Sequence, residues 1–129
     1  MGMSSSDHPN AALVRKALES FNASDPQEYG AILADDIVWH QIGDRTLHGK
    51  EELAASMPNP DSGESITTEV HDVIANDEHV IALVEAHATR ADGRTLDYRT
   101  AEIAHIRDGK VTERWAFSDD TQRITDFFA

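Results

Sequence analysis

The run DGKVTERWAFSDD, residues 108–120, holds side chains that could do chemistry at a spacing that puts them together. After the turn dipeptide Asp108-Gly109, Val111, Glu113, Trp115 and Phe117 alternate with Thr112, Arg114, Ala116 and Ser118. Alternation of this kind is the period of a half-buried strand. Asp119 ends the row that carries Trp115 and Phe117. A carboxylate beside two large aromatic rings loses water, and desolvation favours its protonated form, which suits a general base working near neutral pH. The structural alternative is an acid, Asp119 or Asp120, capping a helix that starts at Thr121 and Gln122.

Turn chemistry extends the row to neighbouring strands. Asp108-Gly109 and Asp92-Gly93 both suit a type I turn with glycine in the left-handed position followed by a bulge. That register sets His105 opposite Val111, Ile103 opposite Glu113 and Ala101 opposite Trp115. It also sets Leu83 opposite Ala101, Glu85 opposite Arg99 and His87 opposite Asp97. One face then carries Ile81, Leu83, Glu85, His87, Arg99, Ile103, His105, Val111, Trp115 and Phe117, with Asp119 at its end. The other carries Val80, Ala82, Val84, Ala86, Ala88, Ala104, Ile106 and Ala116. The bulky, mixed face is expected to line a pocket under helices, and the flat, small face to meet a second subunit. His105 would bond a substrate oxygen or relay a proton, unless Glu113 simply satisfies it. Glu85–Arg99 and His87–Asp97 would be cross-strand charge pairs that also orient a polar ligand. Trp39 and Gln41, on an earlier strand, complete the expected wall.

The elements that must position these residues are legible. Leu13, Val14, Ala17, Leu18 and Phe21 recur at three- and four-residue steps, so a helix is expected from Asn10, its cap, to Phe21. Asp25, Pro26 and Glu28 mark a second start, with Tyr29, Ile32 and Leu33 as its buried stripe. IVWHQIG is a strand closed by Gly43-Asp44, and RTLHGKEELAASM gives a short strand, a turn at Gly49 and a short helix ending before Pro58. Residues 58–65 form a loop. Four long strands follow, separated by Asn76-Asp77, Asp92-Gly93 and Asp108-Gly109, and then a short helix or packed tail. Helices and a hairpin first, then a meander, is an α+β pattern in which helices cover one face of a curved antiparallel sheet. Residues 1–9 read as a disordered lead-in and 10–129 as one domain.

Bulk properties narrow the partners. With 24 acidic residues against 11 Lys and Arg, the net charge of −13 argues against nucleic acid and anionic membrane as partners. There is no apolar run of membrane-spanning length and no signal-peptide pattern, and a cytoplasmic location is the simplest expectation. The absence of cysteine removes thiolate chemistry. Seven histidines invite a metal, but no His-x-x-x-His or comparable carboxylate spacing supports one. Nor is there a glycine-rich phosphate loop or a serine nucleophile elbow.

With its two helices, LADDIVWHQIGDRTLHGKEEL and GRTLDYRTAEIAHIRDGKVTERWAFSDD, the sequence resembles the SnoaL-like, polyketide-cyclase-related proteins of the nuclear transport factor 2-like (ketosteroid isomerase-like) superfamily from residue 10 to 129. The resemblance implies a cone-shaped α+β barrel of cystatin-like type with an open pocket, and a homodimer through the outer sheet face. It also implies that the acid after the tryptophan of the last strand is a general base in an aldol cyclisation. Asp119, four residues after Trp115, matches that place, and His105 matches an accompanying histidine. The isomerase residues do not carry over, since their places fall at Ala17, Gln41 and Ala104. The expected function is therefore proton abstraction next to a carbonyl on an apolar, keto-bearing and polycyclic metabolite. Asp119 would be the base, His105 or Arg99 would stabilise the enolate oxygen, and no cofactor is required. Two alternatives stay open: a non-catalytic ligand-binding or dimerisation module, and epoxide-hydrolase-like water activation by Arg99 and two acids.

Overall fold

The computed structural model describes residues 7–43, 45–58 and 60–129. Along the chain lie α1 (Pro9–Asn22), α2 (Pro26–Ile32), β1 (Leu33–His40), β2 (Thr46–His48) and α3 (Gly49–Ser56). A single 3-10 turn at Pro60–Ser62 leads to β3 (Ser65–Ala75), β4 (His79–Thr89), β5 (Thr95–Arg107), β6 (Lys110–Ser118) and α4 (Thr121–Phe128). Most of the expected lead-in, residues 1–6, lies outside the described residues; its last three belong to the fold. His8, not Asn10, caps α1: its Nδ1 accepts from the Asn10 N–H at 3.1 Å, and Pro9 opens the helix. Asn10 instead fastens α1 to the β3–β4 turn, donating to the carbonyls of Asn76 and Asp77 at 3.0 and 3.1 Å. The second helix starts as its residues dictate, with Asp25 accepting from the Glu28 N–H at 3.1 Å.

The strands form one sheet in the order β2-β1-β6-β5-β4-β3. It is curved and open, with bulges in β1, β3 and β5–β6 that bend the strands. The expectation of a wholly antiparallel sheet needs one correction: β1 and β6 run parallel. They are far apart in sequence, so no hairpin obliges them to oppose each other. Between β4 and β5 the register is as expected, with Leu83 opposite Ala101, Glu85 opposite Arg99 and His87 opposite Asp97.

Between β5 and β6 it is not. Asp108 and Gly109 both have positive φ, 52° and 74°, which makes a two-residue type I′ turn with Arg107 opposite Lys110. A bulge then sets His105 opposite Glu113, Ile103 opposite Trp115 and Ala101 opposite Phe117. The displacement is two residues, so these side chains keep the same face. Val111 alone crosses over, opposite Ile106 and buried.

The faces themselves are reversed from expectation. The small row Val80, Ala82, Val84, Ala86 and Ala88 is buried, whereas Ile81 and Phe117 on the bulky row are 37% and 58% exposed. Helices lie on the small row because a cylinder about 10 Å across seats closely only on short side chains. The helical segments and β1 supply the volume instead, through Leu13, Val14, Leu18, Ile32, Leu33 and Ile37. A second, separate cluster forms under α4, where Ile124 and Phe127 meet Ala88 and Leu96. Gly43 lets α4 seat: with φ of 65°, any Cβ there would lie 2.2 Å from Thr125 Oγ1. No helix among the described residues is long and apolar enough to cross a membrane.

Of the two acids that end β6, Asp120 is the cap, accepting from the Arg123 N–H at 3.1 Å. Asp119 is exposed, touching only the Ser118 hydroxyl at 3.3 Å. Asp120→Ala is therefore expected to cost about 1 kcal/mol, and Asp119→Ala less than about 0.5 kcal/mol; urea denaturation of the two variants checks this.

Candidate functional site

The expected pair Asp119 and His105 does not converge. His105 sits opposite Glu113, six positions before Asp119 on β6, which is roughly 20 Å along a strand. Glu113 holds it instead: the carboxylate lies 3.6 Å from His105 Nδ1 and accepts from His40 Nε2 at 2.7 Å. Both imidazoles stand edge-on to Trp115. This constellation, with Phe117, is on the outer face. So are Glu85 and Arg99, which face each other across the strands without an ion pair among the described residues, and His87 and Asp97, whose Nδ1 and Oδ1 are hydrogen-bonded. A recess of about 460 Å³ opens between the β1–β2 loop and the end of β6, lined by His40, Gln41, Glu113, Trp115 and Phe117 among others. Among the described residues no cluster of three or more His, Asp or Glu is placed to hold a metal ion.

Chemistry on the helix-facing side comes from residues that sequence reasoning passed over. Cross-strand pairing sets Glu102 beside Ala116, Arg114 beside Ala104, and Trp39 beside Arg114. The guanidinium of Arg114 therefore reaches Glu102 diagonally on one face, and its Nη2 and Nε lie 2.9 and 3.3 Å from Glu102 Oε1. Thr100 donates its hydroxyl to the other carboxylate oxygen at 3.2 Å. The guanidinium carbon stands 4.2 Å from the centre of the Trp39 ring, a cation–π arrangement. With 14% and 18% of their side chains exposed, neither charge could sit here without the other. Gln41 is at the rim, 3.4 Å from Ser56 Oγ.

Two tyrosines complete the group. Burial pushes the Tyr29 phenol well above its usual range, with the Arg114 charge opposing and Glu102 adding to the rise. Tyr98 is pushed up to about 12, by burial first and then by Glu102, again against Arg114. Neither hydroxyl has a hydrogen-bond partner among the described residues. The arrangement is one carboxylate, held by an arginine and a threonine, together with two phenols that stay protonated and can donate to a ligand oxygen. The signal for it was present in the sequence: two opposite charges, Glu102 and Arg114, interrupt a face whose neighbours include Ala82, Val84, Ala104 and Ala116.

These are the only two tyrosines in the chain, which makes their ionisation readable. A phenol whose folded pKa is raised stabilises the fold fully below pH 10, its unfolded value, and loses that contribution as pH climbs toward 12. Absorbance at 295 nm should show no phenolate at pH 10.5 in the native protein; ionisation should arrive together with alkaline unfolding. A native-state titration near pH 10 would contradict the burial of both rings.

Among curated proteins, none matches the sequence. Solved structures do match in fold. A protein from Xanthomonas campestris described as having a cystatin-like fold superposes with a TM-score of 0.77 at 22% identity, covering 95% of this chain and 99% of its own. IdmH, a putative polyketide cyclase from Streptomyces antibioticus, gives 0.70 at 20% identity, over 95% and 100%. An epoxide hydrolase from M. tuberculosis, described as LEH-like, gives 0.71 at 16% identity, over 91% and 84%. The SnoaL-like domain matches residues 14–114, most of the chain and both members of the Glu102–Arg114 pair. By this match over most of its length, the chain belongs to the SnoaL-like family.

Proposed function

We propose that this protein binds a small, largely apolar, keto-bearing molecule against the helix-facing side of its sheet and removes a proton from the carbon beside the carbonyl. One observation carries the reading: a single carboxylate, Glu102, shares a half-buried apolar face with two unpartnered neutral phenols. The proton passes from carbon to Glu102 Oε2, the oxygen that accepts only the Thr100 bond. The electron pair moves onto the carbonyl oxygen, and a tyrosine O–H bonds the resulting enolate. Arg114 and Thr100 keep the carboxylate in place, and Trp39 forms part of the wall. Glu102 thus takes the role that the sequence suggested for Asp119. The likeness to IdmH, described as a putative cyclase, is consistent with an enolate that goes on to close a ring. Water activation by an arginine between two acids is less favoured. On the helix-facing rows of β4, β5 and β6, Glu102 is the one carboxylate.

Deuterium uptake beside the carbonyl of a cyclic monoketone, followed by NMR, tests this. Wild type should accelerate exchange over buffer, Glu102→Gln should lose about 100-fold or more of that acceleration, and Tyr29→Phe or Tyr98→Phe should lose about tenfold or more. A ketone that binds, judged by line broadening, without faster exchange would identify a binding module instead.

The outer face supports a second proposal, that two copies of the chain pair there. Its middle rungs are apolar, Ile81–Ile103–Trp115 and Leu83–Ala101–Phe117, with Ile74 beside them. Four strands at sheet spacing by seven residues give roughly 400–500 Å². With the charged ends added, the face approaches the ~800 Å² per partner of a stable interface. Sedimentation should find a dimer at micromolar concentration, and Phe117→Glu should yield a folded monomer; an unchanged dimer in the variant would place the interface elsewhere.

A further inference from the structure

The chain closes on a helix whose attachment differs from that of every other element. Helix α4 rests on the helix-facing side of the sheet at the β4–β5 end, over Ala88 and Leu96, through a cluster separate from the main core. Eight residues are too few to hold a helix by themselves. Its last turn has no basic residue of its own to meet the free carbonyls. Arg90, from the start of the β4–β5 turn, supplies that charge: its Nη1 donates to the carbonyls of Phe127 and Ala129 at 2.7 and 2.8 Å. At the other end, Arg123 donates to the Asp97 carbonyl at 3.1 Å. Thr121 and Thr125 lie against Gly43, where a side chain would collide.

What lies beside this helix gives the attachment a consequence. Tyr98 packs edge-on to Phe128, with ring centres 6.4 Å apart, and stands on the same row of β5 as Thr100 and Glu102. Helix α4 therefore borders the strip that holds the carboxylate and the phenols, while α1, α2 and α3 are tied into the larger core. We propose that α4 is the door to this strip, that Arg90 is its latch, and that a ligand enters by local release of the helix without unfolding of the sheet. The inference rests on the helix-facing site proposed above. Arg90 acts on access alone; it touches none of Glu102, Arg114 or the tyrosines in this structure. A helix held by two buried side chains and a few polar bonds is the kind of unit that opens below the threshold of global unfolding.

Two measurements on the full chain test the door. In native-state hydrogen exchange without ligand, α4 amides should exchange about 100-fold faster than those of central β4 and β5, at a rate nearly independent of low denaturant. Arg90→Ala should speed α4 exchange by a further factor of about ten, leave β4 and β5 amides unchanged, and raise the association rate of a cyclic monoketone by a similar factor. That association would be followed by tryptophan fluorescence in a stopped-flow instrument. Arg94→Ala is the control, because the Arg94 side chain pairs with Asp92 at 2.8 Å and not with α4; it should behave as wild type. Exchange of α4 in step with β4 and β5 would overturn the proposal. So would faster opening in Arg90→Ala with no faster uptake. If wild type takes up no ketone at all, the site reading fails and the door with it; uptake that Arg90→Ala leaves unchanged sinks the door alone.

Discussion

The pairing of Glu102 with Arg114 is the constraint around which the helix-facing side is arranged. Two charges on a face otherwise built of valine and alanine must meet each other, since a charge left alone in a mostly dry interior is destabilising by about 3–5 kcal/mol when fully buried and by less at partial exposure. The type I′ turn at Asp108-Gly109 and the bulge beside His105 set the two residues diagonally on one face, and β1 on the far side of β6 lets Trp39 lie against the guanidinium. The register expected from a type I turn would set Glu102 directly opposite Arg114 on that same face, so either turn keeps the charges within reach. A slip of one residue would not, because it sends one of them to the other face.

The strip also explains why the interior has two apolar clusters. The main cluster gathers α1, α2, α3, the start of β4 and the end of β5, whereas the smaller one gathers α4, the end of β4 and the start of β5. Between them lie Tyr98, Thr100, Glu102 and Arg114. A continuous apolar core would be more stabilising, but it would leave nothing on this side of the sheet able to donate to or accept from a ligand. Protein sites that bind small molecules are commonly apolar walls with a few placed polar groups, and this division has that character.

Much of the fold could be read from the residues. Asp25-Pro26 with Glu28 announced α2, and the Asp-Gly and Asn-Asp pairs announced the hairpins. Alternation within the strands sorted their side chains into two rows correctly except for Val111, which a bulge moves across, because period two survives a register error of two. Alternation does not say which row meets the helices, and here intuition about bulk misled. Large side chains such as Trp115 and Phe117 suggest an interior, yet a helix needs a flat seat, and the Ala82–Val84–Ala86–Ala88 row is the flat one. The parallel meeting of β1 and β6 was not legible either, since nothing local to either strand records its neighbour.

The same ambiguity governed the site. Histidines and acids next to aromatics drew attention to His105 and Arg99, on the outer row where Glu113 serves His105 and His40 at once, and to Asp119, exposed just beyond β6. Glu102 and Arg114 were not singled out, because nothing in the sequence marks their row as the covered one. A charge is informative in proportion to what its environment should have excluded. On an exposed row any acid or base is tolerated. On a row of small apolar residues beneath helices, an isolated Glu and Arg that can reach each other diagonally are retained against the grain of their surroundings. Facing, more than residue type, therefore decides which polar residues of this chain are candidates for chemistry.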